Sequence, residues 1–262
     1  MKLVIEKSVT VITPSIGKST LHEAISSVWD QDYSNITHLI VADGKEYEDK
    51  CNFILSSTNS ITKKGQKTIV TSVPFNTGGA GFYGHRIYAA FAHLMNTDYI
   101  LFLDEDNWFK PNHVSSMVRM MDQRFSAGFG YSLRSIYSVD GEYLLDDNCE
   151  SLGNWPIYWS LRNPEKQRLI DTSCFIFRRD FLEITGHLWH SGWGGDRTYY
   201  NEIKNYEHHT TGQHTVCYRL DGNPKSVNKQ FFEKGNAETL AFYRGKLPWV
   251  NHNGGRKNPP LK

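Results

Sequence analysis

The chain has 262 residues, 39% hydrophobic and 22% charged, with a formal net charge of +1. That length and composition suit a soluble globular protein able to bury a sizeable core, and the near-neutral charge excludes the basic face of a nucleic-acid binder. Cys51, Cys149, Cys174 and Cys217 show no Cys-x-x-Cys spacing, so neither a zinc site nor a disulfide framework is expected. A reducing, cytoplasmic setting fits: the apolar part of Met1–Lys7 is too short for a secretion signal and no run reaches the roughly 20 apolar residues of a membrane span.

Val9-Thr10-Val11-Ile12 is β-branched and predicts a first buried strand, closed by the turn Thr13-Pro14-Ser15-Ile16-Gly17. Thr20 with Glu23 three residues later makes a capping box for a helix whose stripe is Leu21, Ala24, Ile25 and Val28. His38 to Ala42 predicts a second strand, ending in Asp43-Gly44, and strand, helix, strand is the parallel unit. A weaker helix runs from the acidic Glu46–Lys50 stretch to about Ser56, and Thr68 to Val73 predicts a third strand. In the segment Asn76-Thr77-Gly78-Gly79-Ala80-Gly81, the glycines lack the Rossmann and P-loop spacings. Tyr83, Ile87, Ala90, Phe91 and Leu94 then keep helical spacing, which predicts a helix N-terminus at Gly78–Gly81, with its affinity for anions, and Arg86 a turn further in.

Tyr99-Ile100-Leu101-Phe102-Leu103 is a short, unbroken apolar run, the pattern of a strand covered on both faces. It ends in Asp104-Glu105-Asp106-Asn107. Open parallel sheets bind ligands at the carboxyl ends of their strands. Carboxylates one residue apart there offer hard oxygen ligands to a divalent cation that also holds phosphate oxygens. An arbitrary Asp-x-Asp is more often a solvated turn; this one sits between a buried strand and a helix opened by Pro111, with Val114, Met117, Val118 and Met121 buried.

Phe129 to Ser138 predicts another strand, Val139 to Arg168 carries no clear period, and Cys174 to Phe177 a further strand followed by a helix, Phe181–Thr185. Trp193-Gly194-Gly195-Asp196 follows, a flexible aromatic wall before a helix for which Asp196 is the expected N-cap. His208, His209 and His214 precede a last strand, Thr215–Tyr218, and the tail 251–262 has a disordered composition.

The order of these motifs, from the strand entering Thr13-Pro14 through Asp43-Gly44, Asn76…Gly79…Arg86, Asp104-Glu105-Asp106 and Phe177–Asp180 to Gly195-Asp196, resembles the family 2 glycosyltransferases from about Val9 to Ser226. The resemblance implies an α/β GT-A fold, Rossmann-like, with a mostly parallel central sheet flanked by helices and a smaller mixed half. Residues 1–107 would form the nucleotide-sugar half of a single domain and 108–250 the acceptor half. It further implies an inverting transfer from a nucleoside-diphosphate sugar, UDP by default, to a glycan or other hydroxyl acceptor, in the cytoplasm or at the inner membrane surface. By resemblance, Thr13, Pro14, Asp43, Gly79, Arg86, Asp104, Glu105 and Asp106 face the donor. Asp104 and Asp106 would hold Mn2+ or Mg2+, Trp193, Gly194 and Gly195 lie on the acceptor side, and Asp196 is the base. Two departures stand out. Tyr218-Arg219-Leu220-Asp221 lacks the family's histidine, leaving Asp221, His208, His209, His214 or no further residue as metal ligand, and Gly195 replaces the usual glutamate. A sugar nucleotidyltransferase, or a non-catalytic carbohydrate binder using Trp155, Trp159, Trp189 and Trp193 as stacking platforms, are the competing readings.

Overall fold

A computed structural model describes residues 6–58, 63–162, 168–223, 226–250 and 256–257. Strands β1 (Val9–Ser15), β2 (Ile36–Ala42), β3 (Lys67–Ser72) and β4 (Tyr99–Phe102) pair in parallel in the order β4-β1-β2-β3. Helices α1 (Leu21–Trp29), α2 (Glu48–Ser57) and α3 (His85–Phe91) lie in the connections. Every residue of β4 is buried, the environment its unbroken apolar run requires.

Beyond β4 the sheet becomes mixed. Strand β6 (Phe129–Tyr137) and strand β8 (Phe175–Arg178) are antiparallel to each other, β8 is antiparallel to β4, and β9 (His208–Arg219) runs parallel to β6. Short strands β5 (Trp108–Phe109) and β7 (Tyr143–Asp146) pair with β9 and β6. Helices α4 (His113–Asp122), α5 (Tyr158–Arg162), α6 (Arg179–Thr185), α7 (Gly195–Ile203) and α8 (Lys229–Phe242) complete the described chain. One apolar core runs from Val9 to Trp249 across both parts of the sheet. Among the described residues no helix is long and apolar enough to cross a membrane.

Several local expectations change. The Thr20 capping box is not made, since Thr20 is itself helical and its hydroxyl is buried without a partner. The glycine segment is not the start of α3: Gly79–Gly81 is a separate 3-10 turn, Ala80 and Tyr83 take positive φ, and α3 begins at His85. Tyr83 and Leu94 therefore leave the expected apolar stripe and are mostly exposed. The last strand begins at His208 rather than Thr215, so all three histidines lie within β9. The expectation of a disordered tail at 251–262 falls outside the described residues, apart from Arg256–Lys257, which form β10 against Thr210 and His209. The 139–168 stretch contributes β7 and α5, and its tryptophans pack inward, Trp155 against Trp249 and Trp159 against Phe231.

Candidate active site

Leu103 donates its amide to Ile12, and the chain then leaves the sheet as the turn Asp104–Asn107, closed by the Asn107 amide on the Asp104 carbonyl at 3.1 Å. Two neighbours pin this acid loop. Ser173, just before β8, accepts the Asp104 amide at 3.2 Å, and Asn107 Oδ1 accepts the Arg219 amide from the end of β9 at 3.1 Å. The three acids then diverge. Glu105 is buried and accepts from the Ser15 hydroxyl at 2.6 Å and the Lys18 amide at 3.1 Å, so it ties the loop to the end of β1 and the turn that follows. Asp106 is partly exposed and pairs with the Lys18 ammonium at 3.1 Å. Asp104 accepts the Tyr88 hydroxyl at 2.8 Å.

Asp196 arrives from the far half of the chain. Trp189 is fully buried and stacks on Tyr199 of α7 at 4.3 Å, while its edge meets Phe102 of β4 at 5.4 Å. Tyr88 in turn stacks on Phe102 at 4.2 Å. This aromatic joint packs α7 beside β4, and Asp196 in its first turn is within electrostatic range of Asp104 and Asp171. Asp196 is not the N-cap: Gly194, at φ 75°, holds that place and Asp196 lies in the first turn, accepting the Arg197 amide at 2.7 Å. Gly195 has a steric reason. A Cβ there would meet the His85 ring at 2.5 Å, so the imidazole, held by Nδ1 at 2.9 Å from the Ser191 carbonyl, takes the space of the family's glutamate. Trp193 is 77% exposed beside it, whereas buried Trp189 offers no stacking face.

Other expected donor residues make contacts within the protein. Thr13 is fully buried with Oγ1 2.9 Å from His38 Nε2, and Pro14 packs beneath Gly84. Asp43 is 4% exposed and accepts from the Thr77 amide and hydroxyl, the Gly78 amide and the Asn76 side chain, which fills its acceptor sites with the glycine segment. Gly79 donates to Asn76 within the same turn. Arg86 lies over the Phe82 ring at 3.5 Å and donates to the Thr77 carbonyl, so its guanidinium is engaged by the glycine segment. His214 lies 3.8 Å from Asp146, and β9 meets the acid loop only further on, where the Arg219 amide reaches Asn107. Asp221 accepts the Asn223 amide in its own exposed turn. Sequence reading missed Lys18, Tyr88, Ser173 and His85, none of which sits in a recognisable pattern.

Burial pushes the Asp104 carboxyl up to about 8, with Asp106, Asp171 and Asp196 adding to it and the Tyr88 hydroxyl opposing. Among the described residues no three His, Cys, Asp or Glu side chains form a ligand set. Two carboxylates, Asp104 and Asp106, remain as oxygen donors, which fits a divalent cation whose other positions go to water and phosphate. A folded-state pKa above the unfolded value of about 3.9 means that this group stabilises the fold below about pH 4 and loses that contribution as pH rises through about 8. Asp104→Asn should therefore raise the melting temperature of the metal-free protein by several degrees at pH 8.5 and by much less at pH 5. A gap that does not widen with pH would show that Asp104 is not the strained group.

The chain matches the family model described as Glycosyl transferase family 2 over residues 10–185. Among solved structures it is similar to S. aureus TarS 1–349 in complex with UDP, at 15% identity and TM-score 0.56, covering 81% of this chain and 60% of that one. It is equally similar to the mannosyltransferase PcManGT from Pyrobaculum calidifontis in complex with GDP-Man and Mn2+, at 11% identity and TM-score 0.56, covering 94% and 67%. A protein of Haemophilus influenzae described as uncharacterized is 25% identical over 101 residues, 31% of this chain and 68% of that protein. The structural likenesses are of fold, the GT-A arrangement of a curled α/β sheet flanked by helices, and the chain spans 60% of the length of TarS 1–349.

Proposed function

Because the chain belongs to glycosyl transferase family 2 and is a glycosyltransferase, we propose that it moves a sugar from a nucleoside-diphosphate donor to a hydroxyl acceptor by single displacement, with Asp196 as base. The observation that supports this reading is that Asp196, in the first turn of α7, lies within electrostatic range of buried Asp104 at the carboxyl edge of β4. Ligands of open α/β sheets bind at that edge. Asp104 and Asp106 would hold Mn2+ or Mg2+, which when bound supplies neutralisation of the charge that builds on the departing diphosphate. Asp196 takes the acceptor proton as its oxygen attacks the anomeric carbon. His85 occupies the space a side chain at position 195 would need, which leaves Asp196 as the carboxylate this helix start offers, and direct displacement with inversion is the route the family resemblance implies. Trp193 offers an aromatic face to an acceptor sugar.

Complexes of the neighbours with UDP, and with GDP-Man and Mn2+, support nucleoside-diphosphate donors and a cation here too, and UDP-sugar is the donor we assign. Four buried, free cysteines fit the cytoplasm. Incubating the protein with UDP- and GDP-sugars and Mn2+ should release nucleoside diphosphate, and chelation should stop it. Release of pyrophosphate from a sugar phosphate and a nucleoside triphosphate would favour a nucleotidyltransferase, and inactivity toward every donor would favour a binding protein.

A further inference from the structure

The loop between β1 and α1 delivers a cation to the acid loop, and it does so through fixed contacts. Lys18 follows Gly17, which is at φ 71° with its amide on the Ser15 hydroxyl at 2.8 Å. The Lys18 amide donates to Glu105 Oε2 at 3.1 Å, and the same oxygen accepts the Ser15 hydroxyl at 2.6 Å. The backbone of Lys18 is thereby tied to the residue between the two candidate cation ligands. Its ammonium lies 3.1 Å from Asp106 Oδ2 and 3.8 Å from Glu105 Oε1, with half of the side chain exposed.

An exposed lysine–carboxylate pair is ordinarily worth little, yet this one occupies the more open of the two carboxylates that a divalent cation would need. Two cations cannot both take Asp106 at full strength, because at a few ångströms their mutual repulsion is large. We propose that Lys18 is a built-in counter-ion of the acid loop: it holds Asp106 in the free protein, competes there with the divalent cation, and turns its ammonium onto the donor's diphosphate once the cation has that carboxylate. No bond is made or broken; one ion pair is exchanged for another. A lysine suits this work, being a compact point charge on a flexible stem that can swing between anions, while its amide stays anchored on Glu105. Lys18 is on this account a donor-positioning residue, and the inference rests on the donor-site reading above.

Calorimetric titration of the full chain with Mn2+ alone, and with UDP at saturating Mn2+, tests it on wild type, K18M, K18R and D106A. K18M should bind Mn2+ about tenfold more tightly than wild type and UDP about tenfold more weakly, while K18R, which keeps the charge, should stay within about threefold of wild type in both. Mn2+ affinity in K18M equal to or weaker than that of wild type overturns the inference. So does UDP affinity that K18M leaves unchanged. K18Q supplies a second uncharged variant and should match K18M. The two levels of the argument separate cleanly: Mn2+ binding that D106A loses and K18M leaves unaltered removes the role of Lys18 alone. Wild type that binds no Mn2+, or D106A that binds it as well as wild type, removes the donor-site reading and this inference with it.

Discussion

Asp196→Asn should lower the rate of sugar transfer by about a hundredfold to ten-thousandfold, the span that a positioned general base contributes, while Mn2+-dependent binding of UDP stays at the wild-type level. Asparagine is nearly the same shape and can still accept the Arg197 amide that Asp196 accepts at 2.7 Å, so the start of α7 should hold. What it cannot do is take a proton. The neighbouring carboxylates are poor substitutes: Asp171 is 5% exposed and held by the Arg134 guanidinium at 2.6 Å, and Asp104 already accepts from Tyr88. Initial rates at saturating donor and acceptor, beside calorimetric UDP binding, separate the outcomes. A variant that keeps more than about a tenth of wild-type turnover would place the base elsewhere, and one that loses UDP binding as well would make Asp196 part of the donor pocket.

Arg134→Met should cost about 3–5 kcal/mol or more of stability, the penalty for breaking a buried ion pair on one side, against a total of about 5–15 kcal/mol for a typical domain. Arg134 on β6 has 3% of its side chain exposed and pairs with three carboxylates: Asp147 at 2.9 Å, Glu150 at 2.7 Å and Asp171 at 2.6 Å. Burial drives all three carboxyls upward. Only Asp147 ends below the usual carboxylate range, where Arg134 and the Cys149 and Ser151 amides overcome burial. A lowered folded pKa stabilises above the unfolded value and is lost as pH falls, so in wild type the Asp147 contribution fades on acidification. Without Arg134, Asp147 and Asp171 would lose their counter-charge and Glu150 would keep only Arg197 at 3.7 Å, so protonation would be favoured. The stability deficit of Arg134→Met should thus shrink between pH 7 and pH 5, read from urea midpoints at each pH. A deficit under about 1 kcal/mol at pH 7 would show that the network is solvated. The same cluster extends to the start of α7, since Glu150 also meets Arg197 at 3.7 Å.

The parallel half was legible because its signals are local. Val9–Ile12, His38–Ala42 and Tyr99–Leu103 are runs of β-branched or apolar residues that can only be satisfied as covered strands, and the acid closing the last of them marks the ligand edge of the sheet. Motif order then carried Asp196 into the same reading. Helix caps were less secure: Thr20 and Asp196 have the right residue types in the right places, but the chain enters α1 already helical and enters α7 through left-handed Gly194.

The amino-acid sequence by itself determined which residues must be strand, which must be buried and where the carboxylates leave the sheet, since period, branching and apolar content act over a few neighbours at a time. Only the tertiary structure decided how those carboxylates are used. Asp43 is consumed by Thr77 and Gly78, Glu105 by Ser15, Asp106 is met by Lys18, and His85 closes the space at Gly195. Each is a contact between segments distant in the chain or on different loops, and a side chain's hydrogen-bonding capacity is spent on whatever the fold brings within about 3 Å.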